Sequence, residues 1–499
     1  MSSYIHTPKI ISINDIEEKD YNLSSSQYKE LVMPNNNYKL VKEFLSRKLN
    51  RSDLGIEVGS LSYIDKSPYY FIRTKALQEY SYIPNFTNET ALPILPSEFV
   101  QMNLKEGDLL ISKDSNIGEI VILDKDYPNH MLSGAIYKLP VKEEWKYYLL
   151  AFIKHNVFRE QLDFMVPKGA TIRHAKTMFL DCKIPLPQND TSNVIKYISL
   201  LAKAIVSKEK LIIQRHNNIM QIIDSELNNN QNAETFVYHL PKYNDIVDVE
   251  RLDASLYKEE FKSKIFKVLN YRGGCTPLTE LDLELKPGPS LEIKLLGTRV
   301  DSRSYIEGFY RLITPKQVTN YGTLKNEEYL GTPTRISPIQ FGDIIFGESG
   351  TGRTMVFLDD NKNTINNAHA HVLRSRLPND MDRVITIRSI LQYYKEIGIT
   401  DCMTVGGSGG HLSPSYFDRL MIPNIPINIQ EKISLLYYSN LDYDTKNINL
   451  SDFLEKDNKF NTMAGIHELD KSAKYFKRLL NRAIDDIVHD RDVRITFEI

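Results

Sequence analysis

The sequence predicts an α+β protein: two tandem domains of one frame, separated by long helices that pair as an antiparallel coiled coil. Three observations predict it. The chain is written twice, each copy holds short β-like runs punctuated by Gly and Pro, and each copy is followed by an apolar helical seam.

The repeat shows in matched segments. Gly107-Asp108-Leu109-Leu110-Ile111 recurs as Gly342-Asp343-Ile344-Ile345-Phe346, an offset of 235, and Ile184-Pro185-Leu186-Pro187 as Ile422-Pro423-Asn424-Ile425-Pro426, an offset of 238. Asn14-Asp15-Ile16 recurs at Asn244-Asp245-Ile246 and Tyr28-Lys29-Glu30 at Tyr257-Lys258-Glu259, offsets of 230 and 229. The slow drift fits two copies that took different insertions. A repeat this long is two whole domains, not a solenoid.

Copy one spans 1–190. Its expected strands are 69–73, 108–112 and 119–123, followed by a helix at 147–158 and a closing strand at 182–186. Residues 191–230 are the first spacer. From 193 to 228 apolar residues fall at Val194, Ile198, Leu201, Ile205, Ile212, Ile219 and Ile223, close to a heptad seam broken by Lys208 and Arg215. Such a helix reaches roughly 50 Å at 1.5 Å per residue. Thr191 and Ser192 are candidate N-caps. Copy two spans 240–427, with strands expected at 291–296, 343–346 and 355–358 and a helix near 387–394. The second spacer, 428–490, is interrupted by a polar stretch at about 442–461. Its seam resumes at Leu469, Ala473, Phe476, Leu480, Ile484 and Ile487.

Composition is that of an ordinary globular protein: 41% hydrophobic, 25% charged, formal net charge −2 over 499 residues. The longest apolar runs are too short to span a bilayer, and the N-terminus lacks a cationic-then-apolar signal pattern, so a cytoplasmic protein is expected. Cys182, Cys275 and Cys402 are isolated, which argues against disulfides and zinc; Cys182 is expected in a strand and Cys275 in a polar loop. A stand-alone nucleic-acid binder is usually more basic, but basic residues cluster locally: Lys168, Arg173, His174 and Lys176 in one loop, and Arg353, His369, His371, Arg374 and Arg376 in copy two.

Two motifs resemble catalytic ones. Gly347-Glu348-Ser349-Gly350-Thr351-Gly352-Arg353-Thr354 approaches a phosphate-binding loop, but Arg353 replaces the lysine and strand-like residues follow, so a β-hairpin tip with an exposed arginine is expected. Asp282, Glu292 and Lys294 have the spacing of a metal-dependent nuclease. No Asn/Asp-Pro-Pro-aromatic tetrapeptide and no HExxH occurs.

In their repeated order these features resemble the specificity (S) subunit of type I restriction-modification enzymes. The residues that carry it are the Gly-Asp segments at Gly107 and Gly342 and the Gly-containing loops Gly169-Ala170-Thr171-Ile172-Arg173-His174 and Gly406-Gly407-Ser408-Gly409-Gly410-His411. Each loop leads to a phenylalanine, Phe179 or Phe417, and then to the Ile-Pro strand. The leading segments 13–30 and 245–259 and the polar interruption depart from the family's basic pattern. The resemblance implies that each copy is a target recognition domain reading half of a bipartite asymmetric DNA target, with the helix pair as a ruler. It implies a non-catalytic chain with no cofactor of its own. Two methyltransferase (M) subunits would carry S-adenosylmethionine, and motor-nuclease (R) subunits would bring ATP and Mg chemistry. Expected DNA contacts, at polar tips after strands and in the Gly-containing loops, are Lys113, Lys168, Thr171, Arg173 and His174 in copy one and Glu348, Ser349, Arg353, Ser408 and His411 in copy two. The alternatives are a type II-like Mg-dependent restriction endonuclease using Asp282, Glu292 and Lys294, and a scaffold that bridges proteins without DNA.

Overall fold

The computed structural model describes residues 4–18, 21, 23, 25–166, 175–252, 254–348, 352–361, 363–404, 410–446 and 448–498. The chain forms two compact units. The first comprises residues 1–210, 443–462 and 471–499; the second comprises 211–442 and 463–470.

In the first unit, beyond a short antiparallel pair of Ile5–His6 with Glu30–Leu31, the strands include β1 (Tyr38–Leu40), β2 (Tyr70–Ile72), β3 (Ala91–Pro93), β4 (Leu109–Ser112), β5 (Ile120–Ile122), β6 (His130–Leu132) and β7 (Ile136–Leu139). Helices α1 (Lys146–Lys154) and α2 (Asn156–Met165) follow, then β8 (Lys183–Pro185) and the long helix α3 (Thr191–Asn229). One sheet has the order β3-β2-β6, with β2 antiparallel to β3 and parallel to β6. The other is antiparallel, in the order β5-β4-β7, with Leu109 opposite Ile122 and Leu139. Strand β8 closes on β1. Leu110 and Val121 from one sheet share a buried cluster with Ile72 and Leu132 from the other. Each such aliphatic side chain contributes about 1.5–3 kcal/mol by leaving water.

The expected single helix at 147–158 is two. His155 takes an extended conformation, and its Nδ1 accepts the backbone N–H of Val157, capping α2. Burial pushes its imidazole down to about 4, so it is neutral and can accept.

In the second unit come α4 (Glu259–Leu269), then β9 (Cys275–Pro277), β10 (Leu283–Pro287), β11 (Val300–Ser302), β12 (Tyr310–Leu312), β13 (Glu328–Gly331), β14 (Ile344–Gly347), β15 (Thr354–Val356), β16 (Thr364–Ile365) and β17 (Ala370–Ser375). Helix α5 (Met381–Glu396), β18 (Met421–Pro423) and α6 (Ile427–Tyr437) complete it. The topology repeats. Strand β12 pairs antiparallel with β13 and parallel with β16, as β2 does with β3 and β6. Strand β14 lies between β15 and β17, as β4 does between β5 and β7. Strand β18 closes on β9. Strands β10 and β11 extend the two sheets at their edges.

Three local expectations are corrected. Residues 291–296 are not a strand: Ile293–Leu296 is one helical turn, with Glu292 at its N-cap. Cys275 begins a strand rather than lying in a loop. The polar stretch 442–461 holds most of a helix, α7 (Phe453–Met463), before α8 (Ile466–Val488).

The expected seam positions of α3, from Val194 to Ile223, and of α8, from Leu469 to Ile487, are all buried. Within the first unit the two helices run in opposite directions. Tyr197 donates to the carbonyl of Thr496, and Lys477 Nζ lies 2.7 Å from Glu209 Oε1. The polar interruptions of the seam are matched. Lys208 Nζ lies 2.7 Å from Asp457 of α7, and Glu468 raises the Arg215 guanidinium against the burial that lowers it. Among the described residues no helix is long and apolar enough to cross a membrane.

Candidate nucleic-acid interface

The site is built around the end of the central strand of the second sheet in each unit. The strand starts at a turn that needs glycine: Gly107 has φ +84° and Gly342 φ +86°, the left-handed region that L side chains disfavour. The aspartate that follows holds the turn. Asp108 accepts the N–H of Lys105 and pairs with Lys138; Asp343 accepts the N–H of Gln340 and is gripped at 2.7 and 2.8 Å by Arg374. The Gly-Asp segment is therefore a structural device, and Arg374 is spent on it.

Just past the strand stands the first expected contact residue. In the first unit the N–H of Lys113 donates to Ala135, and its carbonyl accepts the N–H of Ala175, the residue that ends the Gly-containing loop. In the second unit the N–H of Glu348 donates to His369, and its carbonyl accepts the N–H of Leu412, which ends the other loop. Lys113 and Glu348 thus hold the same backbone position, each accepting from the residue that follows a Gly-containing loop.

The side chains there differ. Lys113 Nζ pairs with Asp114 at 2.6 Å, both mostly buried. Glu348 Oε1 lies 2.6 Å from Nδ1 of buried His371. Burial lowers His371, and the charge and hydrogen bond of Glu348 oppose that. One layer below, Tyr137 meets Phe179 and His371 meets Phe417, at ring-centroid distances of 5.8 and 5.0 Å. Tyr137 and His371 are again matched, opposite Ile111 and Phe346 respectively.

The next strand starts at a second matched pair. Ser112 donates to the carbonyl of Glu119, and Gly347 to that of Arg353. Glu119 is held by Arg159 at 2.5 Å and by Lys154 at 3.5 Å. Arg353 is half-buried rather than exposed as expected. Its Nη1 reaches the carbonyl of Val318 at 3.4 Å. The strands on either side of the hairpin tip expected at 347–354 pair antiparallel, with Phe346 opposite Thr354; residues 349–351 of the tip lie outside the described residues.

Of the expected contact residues, the structure places Lys113, Glu348, Arg353 and exposed His411 around the ends of these two strand systems. Lys168, Thr171, Arg173, His174, Ser349 and Ser408 lie outside the described residues. The basic cluster of copy two divides: His371 and Arg374 are committed internally, whereas His369 and Arg376 are exposed. Glu292 pairs with Lys294 at 2.7 Å, both largely exposed, and Asp282 is exposed before β10. Among the described residues no group of three His, Cys, Asp or Glu side chains could hold a metal ion. Burial raises all three thiols, Cys182 to about 12, which disfavours the thiolate a nucleophile needs.

Sequence reasoning missed Gln317 and Lys325. Their offsets from the first copy, 241 and 240, lie outside the range of 229 to 238 that the matched segments give, so the match shows only in the backbone hydrogen bonds. The N–H of Asn85 donates to Ala76 as that of Lys325 donates to Gln317, so the pairs are matched and differ in charge.

No family model and no curated protein matches the sequence. Solved structures do. The chain is similar to type I restriction-modification S subunits along nearly its whole length. One is the S subunit from M. genitalium, at 11% identity and TM-score 0.40, covering 92% of this chain and 97% of that one. Another is the HsdS subunit from Thermoanaerobacter tengcongensis, at 12% identity and TM-score 0.26, covering 91% and 97%. A third comes from a study of complex assembly and conformational transition in the type I R-M system, at 12% identity and TM-score 0.27, covering 93% and 100%.

Proposed function

We propose that this chain is a specificity subunit: a non-catalytic protein that reads a bipartite, asymmetric double-stranded DNA target and directs methyltransferase and motor-nuclease subunits to it. One observation carries the reading. Two copies of one backbone scaffold present different chemistry at matched positions: Lys113 and Glu348, Tyr137 and His371, Glu119 and Arg353, Asn85 and Lys325. Base edges differ in donor and acceptor pattern, so a protein reading two different half-sites keeps the frame and changes the side chains. Most remaining contacts go to phosphate and set register. S-adenosylmethionine, ATP and Mg chemistry belong to the partners, and the seam helices α3 and α8 set the distance between half-sites.

The nuclease alternative requires Glu292 and Lys294 on a strand beside Asp282; they stand instead on a one-turn helix, paired with each other. The deciding experiment is methylation sequencing of cells carrying this chain with an adenine methyltransferase subunit of the same system, against cells lacking the chain. A bipartite methylated motif that disappears with the chain is expected. An active methyltransferase with no chain-dependent motif would overturn the reading, and Mg-dependent cleavage by the purified chain alone would favour the nuclease.

A further inference from the structure

We propose that Glu209 and Lys477 are positioning residues: they fix the first recognition domain on the helices α3 and α8, and so set the length of the gap between half-sites that the protein accepts. The assignment deepens the DNA-binding reading above and rests on it for what the gap is.

One turn of the domain, at 78–83, carries the attachment. The turn is tied to the rest of the domain from inside. The carbonyl of Tyr82 accepts the N–H of Ile122 in β5, and Lys154 of α1, whose side chain is buried, donates to the carbonyl of Gln78 at 2.7 Å. From the helices, Glu209 of α3 reaches the same turn. Its Oε2 accepts the N–H groups of Tyr82 and Ile83 at 2.7 and 3.3 Å and the hydroxyl of Ser81 at 3.1 Å. Its Oε1 lies 2.7 Å from Nζ of Lys477 in α8, which also donates to the carbonyl of Tyr80 at 2.8 Å. The ring of Tyr82 lies 5.2 Å from the Lys477 ammonium. One carboxylate therefore joins two helices to each other and to the domain.

The Glu209 side chain is 11% exposed, so its bonds are largely shielded from water. Bonds from N–H groups to a carboxylate are short and directional, which fixes an angle as well as a contact. The neighbouring pair of Lys210 with Glu106 is more exposed and contributes little.

The second unit holds the matched turn by other chemistry. Val356, the counterpart of Ile122, donates to the hydroxyl of Tyr437 in α6 at 3.3 Å. That hydroxyl donates to the carbonyl of Gly322 at 3.2 Å, and Gly322 stands for Tyr82 at the same offset of 240 that relates Lys325 to Asn85. Arg388 of α5 donates to the carbonyl of Asn320 at 3.2 Å, with its guanidinium 4.8 Å from the Tyr437 ring centre. In each unit the helix that follows the copy grips that copy by this turn. A grip repeated at one point of the frame with replaced side chains marks the turn as the attachment.

Such an attachment bears on gap length. One base pair added to the gap moves a half-site about 3.4 Å along the duplex and turns it by roughly 35°. A domain held at a fixed angle does not follow that shift, whereas a domain released from its helix pivots toward it. A misplacement of about 1 Å can already cost roughly a hundredfold in rate.

The test is methylation of duplexes by the full chain with the adenine methyltransferase subunit of the same system. The half-sites are held constant, and the gap is lengthened or shortened by one base pair. The wild type should methylate the altered gaps about a hundredfold less than the native gap, and Glu209→Ala should narrow that ratio to about tenfold with the half-site sequences unchanged. Lys477→Met leaves the carboxylate on the turn but releases it from α8; it should move the ratio the same way by less, and it decides if Glu209→Ala does not fold. Lost stability alone lowers methylation at every gap equally. An unchanged ratio in the variant that folds would therefore overturn the assignment, whatever the total methylation. A wild type with no chain-dependent motif would instead fail the DNA reading. Hydrogen exchange of the Tyr82 and Ile83 amides then decides the attachment itself: faster exchange in Lys477→Met or Glu209→Ala, confined to the turn, retains it, and unchanged exchange removes it.

Discussion

Gly55 and Gly288 do the same work in the two units. A Cβ on Gly55 would lie 2.0 Å from the carbonyl oxygen of Ser133, and one on Gly288 the same 2.0 Å from that of Asn367. In both units an extended segment passes directly over the backbone that leads to the candidate interface, at Ala135 beside Lys113 and at His369 beside Glu348. Only glycine fits such a crossing.

Gly55→Ala and Gly288→Ala should therefore each destabilise the protein by about 3 kcal/mol, because the obstruction is backbone and cannot rotate away. Thermal unfolding of the purified variants measures this. A melting temperature within a degree of wild type for either variant would show that the crossing yields without cost.

Lys208 and Asp457 are both almost completely buried, 2.7 Å apart, and Asn461 accepts a further hydrogen bond from Lys208. Aromatic rings of Tyr443, Phe460 and Phe476 surround the ammonium. Removing one partner leaves an uncompensated buried charge, so Asp457→Ala should cost about 3–5 kcal/mol. The double variant Lys208→Met with Asp457→Leu should recover most of that loss. Denaturant unfolding of single and double variants distinguishes pairing from simple loss of packing.

His130 stacks on Tyr70 with ring centroids 5.0 Å apart and lies beside Phe86 and Tyr127; burial brings its imidazole down to about 4. The unfolded chain takes up this proton near 6.5 and the folded chain only near 4, so the stability that the neutral ring supplies is lost as the pH falls through that window. His130→Phe should flatten the fall in stability between pH 6.5 and 4 while keeping the ring contacts. An unchanged slope would assign the acid sensitivity elsewhere, His155 being the next candidate, with the same direction.

Burial lowers His371, and Glu348 works against it. Glu348→Gln removes the opposing charge, so His371 should titrate at a still lower pH than in the wild type. Its ring proton shifts in an NMR titration report this directly. A rise instead would mean that the carboxylate, not burial, sets the neutral state.

Much of the frame was legible in the sequence. The Gly-Asp and Ile-Pro matches located β4 with β14 and β8 with β18, because tight turns and closing strands restrict residue type locally. The seam residues of α3 and α8 were legible because helical periodicity is a local pattern. The helix inside the polar stretch at 453–463 was not, because what holds it is distant: Asp457 makes sense only against Lys208.

The sequence by itself determined the duplication, the positions of the central strands and the buried faces of the long helices, since each follows from the conformational limits of neighbouring residues. Only the tertiary structure decided which polar side chains remain available for a partner. His371 is spent on Glu348, Arg374 on Asp343 and Glu119 on Arg159. Those pairings join residues from 23 to 40 positions apart in sequence. They depend on distances across strands, which no spacing along the chain encodes.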